Sequence, residues 1–185
     1  MKINLGAGKD ILPGFINHDL TNLPGIQVVH DLNQYPWPWK DNVATEIKVH
    51  DVLEHLQAFL KAMEEIHRIL LPGGLCHISV PYWNSWCAHS DPTHVRSFHE
   101  TTFCFFDPST SFCQSRPYYT KARFRIISEK LILAPFSPYF SLPGINNYEV
   151  ENKALKKIIG LVGNYFISNL IHGLHLTLQK EKTTV

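Results

Sequence analysis

The sequence predicts an α/β domain built on a mostly parallel sheet. Short apolar runs alternate with helical and turn segments, and the first apolar run passes directly into Gly6-Ala7-Gly8. Glycines at such a position let the backbone turn sharply and come close to a ligand. The 185 residues are enough for one domain with a sizeable core, so residues 1–185 are predicted to form a single domain.

Seven strands are expected from the apolar runs and from the turn residues that bound them. The first follows Met1 almost immediately, and the last lies near the end of the chain. In chain order the predicted strands cover residues 3–5, 16–19, 26–30, 46–50, 75–80, 123–133 and 174–179.

The clearest helical pattern lies in the first half of the chain. Apolar residues recur at helical spacing from Val52 to Leu70, which predicts a helix that starts at Asp51. Leu71-Pro72-Gly73-Gly74 is expected to stop it, because Pro and Gly end helices. A shorter helix is expected at residues 100–106.

The second half contains a further amphipathic pattern at residues 152–171. Its apolar side is expected to pack on the sheet, and a position on a membrane surface is the less favoured alternative. Residues 36–39, which read Pro-Trp-Pro-Trp, and the Pro- and Ser-rich residues 134–148 are interpreted as loops.

Composition and charge exclude several classes of protein. The net charge of +1 and the pI near 7.8 leave no electrostatic footprint for nucleic-acid binding. Lysines interrupt the helix at 152–171, so no membrane span is predicted, and no leader is expected before a strand that begins at residue 3. Four cysteines without a CxxC pair fit buried thiols in a reducing compartment, so a cytoplasmic location is expected.

Candidate ligand contacts follow from the predicted sheet, because ligands bind at the carboxyl ends of its strands. The acids Asp19 and Asp31 end two strands and could hold ligand hydroxyls, although both could also be turn or capping acids. His50 could likewise be a structural histidine. The residues directly after the strands are Gly6 to Gly8, Asp19, Asp31, His50, Asp51 and Pro81-Tyr82-Trp83.

Six segments stand in an order that identifies a family resemblance. They read INLGAG, GFINHDL, VVHDLNQYPWPWKDN, VHDVLEHL, ILLPGGLCHISVPYW and DPTHVRSFHETTF. Together they resemble the class I S-adenosylmethionine-dependent methyltransferases of the small bacterial, type 11-like kind. The resemblance spans roughly residues 1–133.

The resemblance implies a Rossmann-like sheet of seven strands with an antiparallel last strand. It also implies S-adenosyl-L-methionine as cofactor and S-adenosyl-L-homocysteine as product. The glycine loop would lie against the methionine part of the cofactor, Asp19 at the ribose and Asp31 at the adenine. The implied cofactor-binding residues are Leu5, Gly6, Ala7, Gly8, Asp19, Leu20, Asp31, Leu32, His50 and Asp51.

One departure from the family concerns the first crossover. Gly6 and Asp19 are 13 positions apart, against about 20 in dinucleotide-binding folds. The helix between the first two strands is therefore expected to be short or missing. Glu54 and His55 open the predicted helix and are interpreted as complementing its N-terminal dipole.

Residues 82–96 follow the fifth predicted strand and form the expected acceptor region. Arg96 could hold an anionic group, and His50 or His94 is the candidate catalytic base, since imidazole titrates near neutrality. Insertions on the acceptor side are expected at about 82–120 and 134–150. The expected substrate-binding residues are Tyr82, Trp83, His89, Asp91 and Arg96.

A metal site formed by His89, Asp91 and His94 is chemically suitable. Asp91-Pro92-Thr93-His94 also fits a turn in which the aspartate bonds nearby backbone, and this interpretation is favoured. The sequence therefore predicts no metal site.

Three functional hypotheses remain. The leading one is in-line methyl transfer to a small-molecule, sugar-like or glycan-precursor acceptor. The second keeps the fold and the cofactor but assigns a regulatory, non-catalytic role. The third, a dinucleotide or nucleotide-sugar enzyme, is disfavoured because Ile11 stands where G-x-G-x-x-G requires its third glycine.

Overall fold

The computed structural model describes residues 1–134 and 147–182. These residues form one mixed sheet of eight strands. The strands are β1 Lys2–Leu5, β2 Ile16–Asp19, β3 Val28–Val29, β4 Ala44–His50, β5 Leu70–Pro81, β6 Phe124–Leu133, β7 Tyr148–Val150 and β8 Ile171–Lys180. Their order across the sheet is β3-β2-β1-β4-β5-β8-β6-β7.

The strand directions confirm the predicted α/β class. β1 to β5 all run parallel to their neighbours among themselves. β8 lies antiparallel between β5 and β6, which confirms the antiparallel last strand.

The eighth strand, β7, corrects the expectation of seven strands in total, and it begins at Tyr148, the last residue of the predicted loop. Its three residues pair with Leu131–Leu133 at the sheet edge. A composition rich in Pro and Ser indicates an irregular backbone. It does not show that the residues after Asn147 pair with the edge of β6. Residues 135–146 of the predicted loop and of the insertion at 134–150 lie outside the described residues.

The first crossover contains no α-helix, as the sequence predicts. Residues 6–58, all of them described, form strands, turns and a single 3-10 helix. Two buried asparagines hold the crossover instead. The Asn4 side chain donates to Asp10 O at 2.8 Å and to Asn17 Oδ1 at 3.0 Å, and that same Oδ1 accepts from Leu12 N at 2.9 Å.

Without helices in the first crossovers, one face of the sheet is open. In β4, Ile47 and Val49 are fully buried, whereas Glu46, Lys48 and His50 on the other side are partly exposed. A parallel strand buried on both faces is apolar throughout. The alternation of polar and apolar residues in β4 therefore indicates that no helices cover one face of the sheet in the described part of the chain.

The opposite face is covered by α1, Phe59–Ile69, and by the side chains of Trp37 and Trp39. Glu65 and Arg68 of α1 anchor the tryptophan segment, since Trp37 N donates to Glu65 Oε2 and Arg68 Nη1 donates to Trp39 O, both at 2.7 Å. Burial of a large aliphatic side chain contributes about 1.5–3 kcal/mol. The buried side chains of α1 are Phe59, Ala62, Met63, Ile66 and Ile69.

α1 begins later than predicted. Asp51 has a positive φ of 52° and Leu56 is extended, so the predicted start at Asp51 is wrong. Only Leu53–His55 is helical before α1, as a 3-10 helix. The predicted stop at residues 71–74 lies inside β5, because the chain becomes extended at Leu70 directly after α1.

The predicted insertion at 82–120 contains three short helical elements. These are α2, Cys87–Ser90, a 3-10 helix at Phe103–Phe106, and α3, Ser111–Ser115. The second corresponds to the short helix expected at residues 100–106.

The last helix, α4, covers Lys153–Tyr165 and is shorter than the predicted 152–171, because β8 already begins at Ile171. It packs on the body of the protein through Gly160 and Gly163. The expectation that its apolar side packs on the sheet is wrong for four side chains that are 41–76% exposed, namely Leu155, Ile158, Leu161 and Tyr165.

No helix in the described residues is both long enough and apolar enough to span a membrane.

Candidate functional site

A cavity of about 250 Å³ lies at the carboxyl ends of β1, β2 and β3 and is called the first cavity. Six of the ten residues predicted to bind the cofactor line it, namely Gly6, Asp19, Leu20, Asp31, Leu32 and Asp51. Its other lining residues are His18, His30, Asn33, Val52, His55 and Leu56. Leu5 and Ala7 are buried beside it without lining it, and Gly8 follows them along the turn.

Gly6 lines this cavity and is packed tightly against Val52. Its φ is +63°, and a Cβ on Gly6 would lie 2.2 Å from Val52 Cγ2. Only glycine fits such a position without a shift of the neighbouring chain. The turn is thereby packed directly against the segment that carries Asp51.

His18 contacts the glycine turn through Gly6 N and was not predicted as a site residue. It is 1% exposed, and its Nε2 lies 2.9 Å from His30 O, which can only accept a hydrogen bond. Nε2 therefore carries the proton, and the lone pair of Nδ1 faces Gly6 N at 3.4 Å. Burial lowers the pKa of His18. The only sequence signal for His18 is a polar residue at an inward position of β2.

Asp19 and Asp31 lie side by side at the ends of β2 and β3. Asp19 accepts from Gly8 N at 2.8 Å and from Thr21 N at 2.9 Å, so it also holds the glycine turn. Asp31 accepts from Asn33 N at 2.8 Å. Each carboxylate has further lone pairs that can accept from a ligand, so the turn role and the ligand role coexist.

A larger cavity of about 540 Å³ lies next to the first and is called the second cavity. Asp51 and His55 line both cavities, so the two share a wall. The second cavity is lined by Asp51, Glu54, His55, Ser79, Val80, Pro81, Cys87, Ser90, Asp91, His94, Ile132, Asn147, Glu149, His172, Gly173 and His175.

Three side chains form a cluster in the second cavity, namely Glu54, His55 and His94. One donor atom from each lies within 4.8 Å of the others, and the rings of His55 and His94 meet edge to face at 4.7 Å. Glu54 is 1% exposed, and neither carboxylate oxygen has a hydrogen-bond partner among the described residues. Burial raises the pKa of Glu54 to about 7 and lowers the pKa of His55.

This cluster corrects the interpretation of Glu54 and His55 as residues that complement a helix dipole. The 3-10 helix that contains them has no side-chain cap, and the α-helix proper starts at Phe59. A carboxylate that caps a helix would accept from the N–H groups of the first helical turn, and the described 3-10 helix has no such side-chain cap bond. The cluster was not predicted from the sequence because Glu54 and His55 are far from His94 along the chain, and only the fold brings them together.

Asp91 forms the turn that its sequence predicts, and it also lines the second cavity. Its Oδ1 accepts from Thr93 N at 2.8 Å and from Thr93 Oγ1 at 2.6 Å. Thr93 Oγ1 in turn lies 2.9 Å from His55 Nδ1. His94 Nδ1 lies 3.2 Å from Ala88 O. The turn therefore orients both histidines of the cluster.

The other predicted acceptor residues lie elsewhere. Tyr82 is completely buried, and its hydroxyl donates to Glu100. The Trp83 indole donates to Asn164 of α4 at 3.0 Å. His89 is turned back onto Trp83 O at 2.9 Å. None of Tyr82, Trp83 and His89 lines the second cavity, because their partners hold them against α4 or against the loop itself.

Arg96 is likewise committed to the fold. Its Nη2 donates to Gln57 O at 2.9 Å, and the guanidinium lies 5.3 Å above the ring of Phe59. It lines a shallow cavity beside the start of α1 and not the second cavity. The predicted contact of Arg96 with an anionic acceptor group has no counterpart in this arrangement.

His50 points to the open face of the sheet. It lines a third cavity of about 400 Å³, which shares Glu149 and His175 with the second cavity, and its ring stacks on His175 at 6.1 Å. Strand alternation separates it from Asp51, which turns towards the first two cavities. Burial and the neighbouring Lys48 lower the pKa of His50 to about 4. The structure therefore brings His94, but not His50, to the second cavity.

Comparison with known families supports the fold. A family model described as a methyltransferase domain matches residues 7–78, a range that contains Asp19, Asp31 and the Glu54–His55 pair. The fold is that of the class I methyltransferases. For this family S-adenosyl-L-methionine is the implied cofactor. None of the curated protein sequences matches the chain significantly.

Solved structures share the methyltransferase fold at low sequence identity. A SAM-dependent methyltransferase from Archaeoglobus fulgidus is 15% identical, with a TM-score of 0.61 over 97% of this chain and 85% of that one. A SAM-dependent methyltransferase from Thermotoga maritima, described as a possible histamine N-methyltransferase, is 12% identical, with a TM-score of 0.60 over 98% and 81%. The cyclase SpnF is 14% identical, with a TM-score of 0.56 over 98% and 74%.

Proposed function

We propose that this methyltransferase-fold protein transfers a methyl group from S-adenosyl-L-methionine to a small-molecule or sugar-like acceptor. The observation that carries the proposal is the shared wall of the two cavities at Asp51 and His55. In-line displacement requires cofactor and acceptor to meet, and holding the nucleophile about 3 Å from the methyl in line supplies up to about 7–11 kcal/mol of the barrier.

The residues of the first cavity fit the cofactor. The glycine turn at Gly6 and the carboxylates of Asp19 and Asp31 meet in this cavity. Asp19 would accept from the ribose hydroxyls, and Asp31 with Leu32 would border the adenine. Bound there, the sulfonium supplies a methyl group that needs no further activation.

The second cavity fits an acceptor of modest size. Its volume of about 540 Å³ is within the usual range for small-molecule sites. Polar groups line much of it, among them Asp91, His94 and His172. Together with a net charge of only +1, this favours a small polar acceptor over a nucleic acid.

His94 is the candidate group for handling the acceptor's proton. It lies in the second cavity, and its Nδ1 is held by Ala88 O. That bond leaves Nε2 free to face an acceptor hydroxyl or amine. A positioned base contributes about 10²–10⁴-fold to such a reaction.

Calorimetry with S-adenosyl-L-homocysteine tests the first half of the proposal. The expected result is one molecule bound per chain, and absence of binding at about millimolar concentration contradicts the proposal. Incubation with S-adenosyl-L-methionine and a panel of hydroxylated and amine acceptors, read by mass spectrometry, tests transfer.

A second candidate function is binding without transfer, as in a regulatory protein. The observation that favours it is the lack of an α-helix in residues 6–58, which supply the lining of the first cavity. SpnF shares the fold and is described as a cyclase, and a fold by itself does not fix a reaction. Tight S-adenosyl-L-homocysteine binding with no transfer to any acceptor supports this candidate, and one methylated product excludes it.

A further inference from the structure

We propose that Glu54, His55 and His94 bind one divalent transition-metal ion at the wall shared by the two cavities. The proposal stands on the side-chain arrangement and does not depend on methyl transfer. It differs from the set of His89, Asp91 and His94, which the sequence allows but does not favour, because His89 turns away onto Trp83 O.

The three donor atoms are close enough to bind one ion once the side chains move slightly closer together. The three donor atoms lie within 4.8 Å of one another, and Glu54 Oε1 is 4.0 Å from His94 Nε2. Ligand atoms about 2.1 Å from a tetrahedral ion are about 3.4 Å apart. Side chains that close by about 1 Å, well within rotamer adjustment, therefore complete the site.

Glu54 supplies the independent observation. It is 1% exposed, and both of its oxygens are buried without a hydrogen-bond partner among the described residues. Buried polar atoms are almost always satisfied, and buried charges are paired or bound to metals. A cation between Glu54 and the two histidines gives this carboxylate the partner that the protein does not provide.

The histidines present the correct nitrogens. Thr93 Oγ1 has one proton and lies 2.6 Å from Asp91 Oδ1, so it donates there and accepts from His55 Nδ1 at 2.9 Å. His94 Nδ1 donates to Ala88 O at 3.2 Å. Both Nε2 atoms therefore keep a free lone pair.

Ligand histidines commonly donate their second N–H to a carbonyl or a carboxylate, which fixes the tautomer and the ring orientation. The bonds of His94 to Ala88 O, and of His55 through Thr93 to Asp91, have this form. Asp91 is thereby a positioning residue for the site.

The donor set points to the class of ion. Two imidazoles and one carboxylate suit Zn²⁺ and its first-row neighbours, whereas Mg²⁺ and Ca²⁺ prefer oxygen ligands. Three protein ligands leave at least one coordination position open towards the second cavity.

A consequence for catalysis rests on the proposed function. An ion with an open position in the second cavity can bind an acceptor hydroxyl, lower its pKa and fix its orientation. His94 then holds the ion and does not act as the base. This favours acceptors with oxygen donors, such as vicinal hydroxyls.

The test uses the full chain, stripped with a chelator and titrated calorimetrically with Zn²⁺ and with Mn²⁺. One ion is expected per chain, and binding should raise the melting temperature. Glu54→Gln and His94→Gln should each weaken binding about 100-fold or more. His89→Gln is the matched control from the same segment and should bind like the wild type.

Glu54→Gln separates metal binding from folding. It removes a buried unpaired charge while keeping the shape, so in chelator it should melt no lower than the wild type. It should nevertheless lose the stabilisation by the ion. Visible spectra of the Co²⁺-loaded wild type should show the bands of a four- or five-coordinate ion, and these should disappear in His94→Gln.

Absence of stoichiometric binding to either ion overturns the proposal. So does unchanged affinity in both Glu54→Gln and His94→Gln. Binding of S-adenosyl-L-homocysteine in chelator is measured separately, so loss of the metal site and loss of the proposed function give different results.

Discussion

Gly6 lies so close to Val52 that a Cβ on Gly6 would stand 2.2 Å from Val52 Cγ2. Val52 directly follows Asp51, which lines both cavities. The contact therefore couples the conformation of the first turn to the wall that the two cavities share.

Gly6→Ala is expected to destabilise the protein and to weaken cofactor binding together. The positive φ costs about 1–2 kcal/mol for a residue with a Cβ, and the overlap with Val52 adds about 1–3 kcal/mol. Gly8→Ala is the matched control, since Gly8 has a φ of +50° but a Cβ added there would have no neighbouring atom within 4 Å. Urea unfolding and calorimetry with S-adenosyl-L-homocysteine measure both effects, and equal losses in the two variants would contradict the packing argument.

Asp19→Asn is expected to weaken S-adenosyl-L-homocysteine binding about tenfold or more, because hydrogen bonds to a charged group contribute about 1.5–3 kcal/mol. The amide would also turn an N–H group towards Gly8 N or Thr21 N, each of which now donates to Asp19. Asp10→Asn is the control, because Asp10 is exposed and pairs with Lys48 outside the first cavity. Unchanged affinity in Asp19→Asn would remove Asp19 from the cofactor site.

The sequence predicts the first cavity well because its residues follow strands that are close together along the chain. Asp19 ends β2, and Gly6 and Asp31 lie just after the ends of β1 and β3; parallel strands end at one edge of the sheet. Strand order and local pattern are sufficient for that prediction.

The second cavity could not be predicted in the same way. The hydrogen bond between His55 and Thr93, and the 4.0 Å approach of Glu54 to His94, bring together residues from before α1 and from after β5. Helical spacing from Val52 onwards concealed a turn at Asp51, where φ is +52°. Aromatic residues such as Tyr82 suggest a pocket wall by type, but burial and partner are decided by the position of α4.

The open face of the sheet did have a sequence signal. Glu46-Ile47-Lys48-Val49-His50 alternates strictly between polar and apolar residues, which is unusual for a central parallel strand. Combined with the short distance from Gly6 to Asp19, this alternation shows that helices are missing on one face only.

His67 is expected to make stability fall in acid. Burial, with the nearby Lys180 and Arg123, lowers its pKa to about 4 in the folded protein, against about 6.5 when unfolded. The unfolded chain therefore binds the proton first, so the free energy of unfolding decreases as the pH falls from about 6.5 to 4, by at most about 1.4 kcal/mol per pH unit.

His67→Gln removes this contribution. Urea unfolding at several pH values should show a smaller loss of the free energy of unfolding in acid for the variant than for the wild type. Between about pH 6.5 and pH 4 the two losses should differ by about 1–2 kcal/mol, after allowance for the partial exposure of His67. His89→Gln, at an exposed position, should follow the wild-type curve. Parallel curves for His67→Gln and the wild type would show that His67 is not the group responsible.

Arg96→Lys should reduce stability without changing cofactor affinity. Lysine loses the fork that reaches Leu56 O and Gln57 O and the stacking over Phe59. A loss of about 1–2 kcal/mol is expected in urea unfolding. A change of acceptor preference with unaltered stability would instead support the role in substrate binding that the sequence suggests.

The roles of His50 and His94 can be distinguished by measuring cofactor affinity and methyl transfer in a variant of each. His50 lies on the open face, where it stacks on His175 and lines neither the first nor the second cavity. His50→Gln should therefore leave the affinity for S-adenosyl-L-homocysteine within about twofold of the wild type, a difference of about 0.4 kcal/mol.

His94→Gln should lower the rate of methyl transfer about 100-fold or more with the same affinity for S-adenosyl-L-homocysteine. This holds whether His94 takes the proton or holds an ion, because both roles act on the acceptor in the second cavity. The pH profile distinguishes His50 as well, since a base with a pKa of about 4 would leave transfer constant from about pH 5 upwards. A loss of transfer in His50→Gln that equals the loss in His94→Gln would require the open face of the sheet to contact the acceptor.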